Sequence, residues 1–375
     1  MQGNHTKLVE IVDDGLVNRG GHHYSYCSAI VDMLLKQGIK PRIWANLAYV
    51  AQSEIPAESI SLLSNYCYDV PNCKDETRIA RTASEYRLIL NQSRGQRSKV
   101  FFPNFRLHHG LALLRCADAI LHGKSFVLLL RYSEDLLGED GTLFISVIKS
   151  IVDAYRDTQI VTDTSAFSNF LDSIGIPNSI IGIPVNTDPA DTEPEAIQND
   201  FIFLGAANPL KGFFNFLNAV IIGAQYGFTP RIACQATNLP TEVLSQFRQH
   251  PYLQHVRWIA SNLSISDFRS EILKSSCVVL PYDIAAFNYN SSGILVAALY
   301  FRKFVLTSRT KFACDLTNGN PTSMYLSDTN PETIFAAMRM HYDAQNFSVQ
   351  WLNAWTAAQR CASTSEITNF FDTDN

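Results

Sequence analysis

No stretch of this 375-residue sequence approaches the roughly 18–20 uncharged apolar residues that a membrane-crossing helix needs. The longest apolar runs, such as Ser125–Leu130 and Ala219–Ala224, have the length of a strand or a core helix. Charge is scarce as well. Only 17% of residues are charged while 46% are hydrophobic, which excludes an intrinsically disordered chain. Thirty basic residues stand against thirty-five acidic ones, a net charge of −5, so the broad basic footprint of a nucleic-acid-binding protein is missing. Met1–Lys7 is polar and leads directly into a strand, unlike a secretory signal. None of the eight cysteines forms a Cys-x-x-Cys pair, and no histidine cluster completes a zinc spacing. Reduced, mostly buried thiols in a cytoplasmic protein are expected, with loop residues Cys67 and Cys73 the only plausible pair.

What the sequence does contain is a steady alternation of strand-like and helix-like segments. Lys7–Val12 reads as a buried strand, followed by a turn-rich loop over Asp13–Gly21. From Tyr24 apolar residues recur at Tyr24, Cys27, Ile30, Val31, Leu34 and Leu35, one face of a helix that Gly38 stops. Pro41–Ala45 is the next strand, completing a βαβ unit and implying a parallel sheet. Strands at Val100–Phe102, Phe126–Leu130, Gln159–Thr162 and Ile180–Ile183 follow, separated by helices over Gly110–Leu121, Leu143–Asp157 and Ser165–Ile174. Asn186–Asp200 then breaks the rhythm with five acidic residues, no basic ones and two prolines, and reads as a linker.

A second run has strands at Asp200–Leu204, Arg231–Cys234, His255–Ile259, Cys277–Pro281 and Phe304–Thr307. Helices fall at Gly212–Tyr226, Ser266–Lys274, with Ser264 or Ser266 as N-cap, and Ser292–Phe301. The expected organisation is a first Rossmann-like domain over 1–185, a linker over 186–200, a second domain over 201–330, and a helical tail over 331–375 packing back on the first domain. Doubly wound α/β domains bind ligands at the carboxyl ends of their strands, and two of them facing each other would form a cleft.

Three segments lie where such ligands bind. Asn18-Arg19-Gly20-Gly21-His22-His23 joins the first strand to the first helix, so its glycines can bring backbone N–H groups to an anion; the alternative is a plain tight turn. His22 or His23 would serve as a general base or sugar contact, or else cap and pack. Gly205 to Phe213, containing Asn208 and Lys211, follows the first strand of the second domain; Lys211 is a phosphate partner or a solvated lysine. Pro281-Tyr282-Asp283 runs through Asn290-Ser291-Ser292-Gly293 into a helix, where hydroxyls and free N–H groups suit a diphosphate. An ordinary serine N-cap explains one of those serines, not the whole run. His108 and His109 sit at another strand-to-helix connection, as a ligand contact or a helix cap; Arg131 and Asp163 each follow a strand.

In this order, across two Rossmann-like halves, these segments resemble the GT-B glycosyltransferases, most closely the "group 1" retaining family that uses nucleotide sugars. Gly20-Gly21-His22-His23, Gly205 through Lys211-Gly212-Phe213, and Pro281-Tyr282-Asp283 with Ser291-Ser292-Gly293 carry the resemblance, which covers most of the chain. It implies a GT-B fold and a hexosyltransferase moving a sugar to a glycan, lipid-linked or small-molecule acceptor. Gly20, Gly21, Asn208, Lys211, Asn290, Ser291, Ser292 and Gly293 would hold the donor, and His22, His109 and Lys211 are the catalytic candidates. No metal or other cofactor is implied, and no nucleic-acid partner.

The sequence also departs from the family pattern. Asn208 stands where the family usually has an arginine, Ala297 where a glutamate holds the donor ribose, Tyr289 at a common acidic position, and Arg302-Lys303-Phe304 in place of Gly-Lys-Pro. Arg302 or Asn290 are the candidates to compensate. A non-catalytic GT-B binding or scaffold protein is the alternative these departures support. Residues 74–99 hold seven basic residues against three acidic, a surplus of four. They read as a solvated helix face or as a peripheral contact with lipid at the inner membrane face.

Overall fold

The computed structural model describes residues 7–18, 21–50, 55–67, 74–92, 98–116, 124–155, 157–185, 195–317, 323–345 and 371. Contacts divide the chain into two compact units, Met1–Asn186 with Ser363–Asn375, and Thr187–Ala362.

The first unit is built on β1 (Leu8–Asp13), β2 (Lys40–Asn46), β3 (Glu58–Leu63), β4 (Ser98–Phe102), β5 (Lys124–Leu130), β6 (Thr158–Thr162) and β7 (Ser179–Ile180). They form one sheet in the order β3-β2-β1-β4-β5-β6-β7, with every pairing parallel. The helices are α1 (Gly21–Lys36), α2 (Glu76–Gln92), α3 (Leu107–Leu114), α4 (Ser133–Leu137), α5 (Gly141–Ala154) and α6 (Ser165–Ser173). Parallel strands are joined by right-handed crossovers, so a chain that winds both ways from its first strand covers both sheet faces. β1 and β4 are accordingly buried throughout. The one carboxylate inside β1, Glu10, is matched: Trp44 Nε1 donates to it at 2.6 Å and Arg42 lies 3.4 Å away.

The second unit repeats the plan with β8 (Asn199–Phe203), β9 (Ile232–Gln235), β10 (Val256–Ile259), β11 (Ser275–Leu280), β12 (Phe304–Ser308) and β13 (Ser323–Leu326), ordered β10-β9-β8-β11-β12-β13 and again parallel. Its helices are α7 (Phe213–Gln225), α8 (Thr241–Gln249), α9 (Ile265–Leu273), α10 (Gly293–Tyr300), α11 (Lys311–Thr317) and α12 (Pro331–Gln345). An aromatic cluster of Phe201, Phe203, Phe213 and Phe216 forms the centre of its core. Ser264 is the cap of α9, its Oγ accepting from Asp267 N at 3.1 Å.

The sequence pattern anticipates the central strands and their helices, with α2 inside the basic stretch read as a helix face, and passes over β3, α4, α8, α11 and β13. Asn199 and Asp200, read as linker, belong to β8, where Asp200 pairs with Arg231 at 2.7 Å; most of the stretch before them lies outside the described residues. Of the expected tail, α12 packs against α7 in the second unit, whereas Phe371 meets Phe101 edge-on in the first at 5.1 Å. Six cysteines are described and all are free thiols, five of them buried, Cys67 among them; Cys73 lies outside the described residues. Among the described residues no helix is long and apolar enough to cross a membrane.

Candidate functional site

In each sheet the winding direction reverses beside the first strand, between β1 and β4 and between β8 and β11. The loops leaving the carboxyl ends of those strands diverge there and leave room for a ligand. These four loops hold nearly all of the residues singled out from the sequence.

In the first unit the loops are filled by paired charges. Asp13, at the end of β1, receives His23 Nδ1 at 2.8 Å, the N–H of Gly15 at 3.0 Å and the Cys27 thiol at 3.3 Å. The His23 ring lies so close over Gly15 that a Cβ there would overlap it. Its Nε2 faces Cys67 Sγ at 3.7 Å. Asp14 meets His109 Nε2 at 3.0 Å and His108 Nε2 at 3.5 Å. Those histidines hold the Asp14 carboxyl well below the usual range, against the opposing effect of burial, which is the largest single influence on it. Burial, with His109 beside it, lowers His108 to about 4. Arg106 grips Asp135 with two nitrogens, at 2.8 and 2.6 Å. Arg131 pairs with Asp163 at 3.0 Å and lies 4.0 Å above the Tyr26 ring.

These pairings redefine the histidine candidates. Arg106 N donates to His109 Nδ1 at 3.1 Å, closing a capping box at the start of α3. Nδ1 therefore carries the lone pair, and Nε2 carries the proton that Asp14 accepts. With both ring nitrogens engaged and 4% exposure, His109 has none left for a substrate. Asp14, His108 and His109 have the residue types of a metal site, with ligand atoms all within 4.8 Å of one another. The tautomer does not fit, because a metal at Nε2 needs the proton on Nδ1. His22 is exposed at the first turn of α1, whereas His23 is buried. Gly21 opens that helix at φ +82°, a left-handed conformation that suits glycine; Gly20 lies outside the described residues. Arg131 and Asp163, each just past a strand end, form an ion pair with one another.

The second unit offers a different arrangement. Asn208 Oδ1 accepts the N–H of Leu210 at 2.8 Å and starts the 3-10 turn Pro209–Lys211. Gly212, at φ +71°, then caps α7, and a Cβ on it would overlap the carbonyl oxygen of Pro281. Asp283 N donates to Leu210 O at 2.8 Å, so the lysine loop and the loop after β11 are joined backbone to backbone. The Lys211 side chain folds back over Gly205, which adopts φ +108° with its N–H held by Gln235 Oε1 at 2.7 Å. A Cβ at Gly205 would lie 3.3 Å from both Lys211 Nζ and Ile294 Cδ1, so the ammonium and a side chain from the first turn of α10 lie against the same glycine.

Among the described residues no carboxylate or other acceptor pairs with Lys211 Nζ. Burial lowers its pKa for want of a compensating partner. At the helix itself, Ser292 caps α10, its Oγ accepting Leu295 N at 3.2 Å, while Gly293 and Ile294 supply N–H groups with no intrahelical acceptor. Ser291 is half-buried beside them. Asn290 donates to Ala286 O at 3.1 Å and leaves a buried Oδ1 without a partner.

Three expectations take a different form in the structure. Asn208 uses its side-chain oxygen on its own turn. Arg302 cannot compensate at the start of α10, because it sits beyond the helix's other end, about 13 Å along the axis. There, at φ +57°, it occupies the left-handed position where glycine is common. Ala297 is buried, and α10 carries no carboxylate. Of the basic stretch, Arg78 donates to Tyr66 O at 2.8 Å and Arg87 to Arg115 O at 2.6 Å, which supports a self-packed helix face; Arg94 and Arg97 lie outside the described residues. Tyr282, which the sequence reading passed over as a functional residue, lies 3.1 Å from Ser292 Oγ. Its signal was present: a tyrosine directly after a strand, leading into the same loop.

No family model and no curated protein sequence matches the chain. Solved structures do. The sucrose-phosphate synthase of Thermosynechococcus elongatus aligns over 98% of this chain and 95% of its own, with a TM-score of 0.66 and 10% identity. Anabaena HepE in complex with UDP-glucose aligns over 97% and 98%, with a TM-score of 0.65 and 11% identity. A glycosyltransferase from Rickettsia africae aligns over 98% and 95%, with a TM-score of 0.62 and 13% identity. At these identities the likeness establishes the fold. This chain has the two Rossmann-like units of the GT-B architecture.

Proposed function

We propose that this protein is a glycosyltransferase whose second unit holds the diphosphate of a nucleotide-sugar donor between Lys211 and the start of α10. The observation that carries the reading is the Lys211 ammonium, partly desolvated and without an acceptor among the described residues, against the same glycine as a side chain from the first turn of that helix. An unpaired desolvated cation is costly unless a ligand completes it. The solved relatives support the ligand's class, since HepE is known with UDP and with UDP-glucose.

The chemistry follows from the charge that develops. As the sugar–phosphate bond breaks, negative charge gathers on the departing nucleoside diphosphate. Lys211, the N–H groups of Gly293 and Ile294 and the positive end of α10 meet that charge without reorganising. The acceptor is a glycan, a lipid-linked saccharide or a small molecule, and among the described histidines of the first unit the exposed His22 is the candidate to touch it. The reading includes a cytoplasmic enzyme with no resident metal. Peripheral contact with an anionic membrane would use the face of α2 that exposes Arg81, Arg87 and Leu88.

Thermal unfolding with millimolar UDP, GDP, ADP or CMP tests the proposal. One diphosphate should raise the melting temperature, and Lys211→Met should abolish the rise. No response to any nucleotide would sink the donor-site assignment. A second reading, a non-catalytic binding protein, is favoured by one observation, the apolar α10 with buried Ala297 in it. It predicts nucleotide binding without turnover. Hydrolysis or transfer from the matching nucleotide sugar, monitored by release of the diphosphate, separates the two.

A further inference from the structure

The hydroxyl groups at the start of α10 do not satisfy one another. Ser292 Oγ accepts the N–H of Leu295 at 3.2 Å, and the Tyr282 phenol lies 3.1 Å from the same oxygen. Both residues are buried, Tyr282 at 4% exposure and Ser292 at 7%. A hydroxyl has one proton and two lone pairs. Among the described residues Ser292 Oγ is the one hydrogen-bond partner of the Tyr282 hydroxyl. Leaving a buried O–H unmade costs about 1–3 kcal/mol. Burial also pushes the phenol up to about 12, so its proton stays in place.

Either hydroxyl can donate in this pair, and an acceptor at the helix start would select the arrangement in which Tyr282 donates. Both lone pairs of Ser292 Oγ are then occupied, one by Leu295 N–H and one by Tyr282 O–H. The serine's own proton has no acceptor among the described residues. It is left at the helix start, with the open N–H groups of Gly293 and Ile294 and the unpaired Lys211 ammonium nearby. Every group gathered there is a donor, and what is missing is an acceptor with several oxygens.

We propose that Tyr282 is a positioning residue for the donor diphosphate: by donating to Ser292 Oγ it fills the second lone pair and fixes the direction of the Ser292 O–H toward a phosphate oxygen at the start of α10. The inference rests on the donor-site reading above and adds a residue that does not touch the ligand. Tyr282 also stacks on Phe287, with ring centroids 4.4 Å apart, and Tyr282→Phe keeps that stack while removing the phenol proton.

Calorimetric titration tests it, using whichever of UDP, GDP and ADP binds the unmodified protein, and inorganic pyrophosphate as a second probe. Four chains are compared: unmodified, Tyr282→Phe, Ser292→Ala and the double variant. A hydrogen bond to a charged group corresponds to roughly a tenfold loss or more, expected for Ser292→Ala, with about fivefold for Tyr282→Phe. The double variant should bind no more weakly than Ser292→Ala alone, because the phenol acts through the serine. Ser292→Thr, which keeps hydroxyl and cap, should retain affinity and its dependence on Tyr282. Unchanged affinity in Tyr282→Phe, or an equal loss on the Ser292→Ala background, overturns the positioning role and leaves the donor site standing. Absence of binding by the unmodified protein overturns both.

Discussion

The two units share one topology and use their reversal points in opposite ways. In the first, the charges past β1, β4, β5 and β6 face one another: Asp13 with His23, Asp14 with His109, Arg131 with Asp163, Arg106 with Asp135. In the second, the loops past β8 and β11 are held by backbone bonds and by two glycines, and Lys211 Nζ is left without an acceptor among the described residues. Buried ions that are paired contribute order and are costly to break, whereas a buried ion without a partner marks a place where the fold is incomplete. The reversal point is thus lined by paired side-chain charges in one unit, while in the other Lys211 has no acceptor among the described residues.

The largest test of that contrast is geometric. Gly212→Ala places a Cβ into the Pro281 carbonyl oxygen at a left-handed φ, and should cost about 3 kcal/mol or more, or prevent folding. Gly15→Ala meets first the His23 ring, a side chain rather than backbone, so its cost should be smaller, about 2 kcal/mol. Urea unfolding ranks the two, and the reverse order would break the comparison.

Removing charge should have opposite signs in the two units. Asp14→Ala strands the Nε2 protons of His108 and His109 and should destabilise by about 3 kcal/mol while leaving the nucleotide response intact. Lys211→Met removes an unpaired desolvated charge and should leave the unliganded protein as stable or about 1 kcal/mol more so, while abolishing the nucleotide response. If Lys211→Met destabilised the unliganded protein as much as Asp14→Ala, Lys211 would have a structural partner and the contrast would fail.

The smallest test uses pH. His108 in the first unit and His341 in the second are each lowered to about 4, chiefly by burial. Below about 6.5 the unfolded chain takes up protons that the folded chain refuses, so stability must fall with acidification between pH 6.5 and 4. At pH 5.5 each histidine should account for about 1 kcal/mol. His341→Phe, which keeps a ring against Phe304, should flatten the dependence by one proton's worth in the unfolding free energy measured at pH 7, 5.5 and 4.5. An unchanged slope would refute the buried-neutral assignment.

Much of the fold was legible because parallel strands covered on both faces read as short apolar runs, as Phe126–Leu130 and Cys277–Leu280 do. β3 escaped because it lies at a sheet edge, half-exposed, and alternates weakly. α2 was legible as a charged helix face, but the charges covering its outer side hid the inner face lined by Ile79, Ala83, Tyr86 and Leu90. The loops after β8 and β11 were readable because a tight turn into a helix start depends on local chain geometry, and Gly205, Gly212 and Ser292 are each local signals. Pairings across strands were not. Arg131 and Asp163 sit at two strand ends thirty-two residues apart, and their ion pair depends on β5 and β6 being neighbours. His109 looked like a ligand for the same reason: only the folded chain shows that both of its nitrogens are engaged.

Phe371 gives the architecture an order in time. Its ring, 1% exposed, packs on Phe101 in β4, so part of the first unit's core is supplied by a residue translated after all the described strands and helices of the second. During synthesis the second unit can therefore acquire its complete sheet while the first still presents an uncovered Phe101. A chain truncated after residue 345 should still protect the amides of β8 and β11 and leave those of β4 exchanging faster than in the full-length protein.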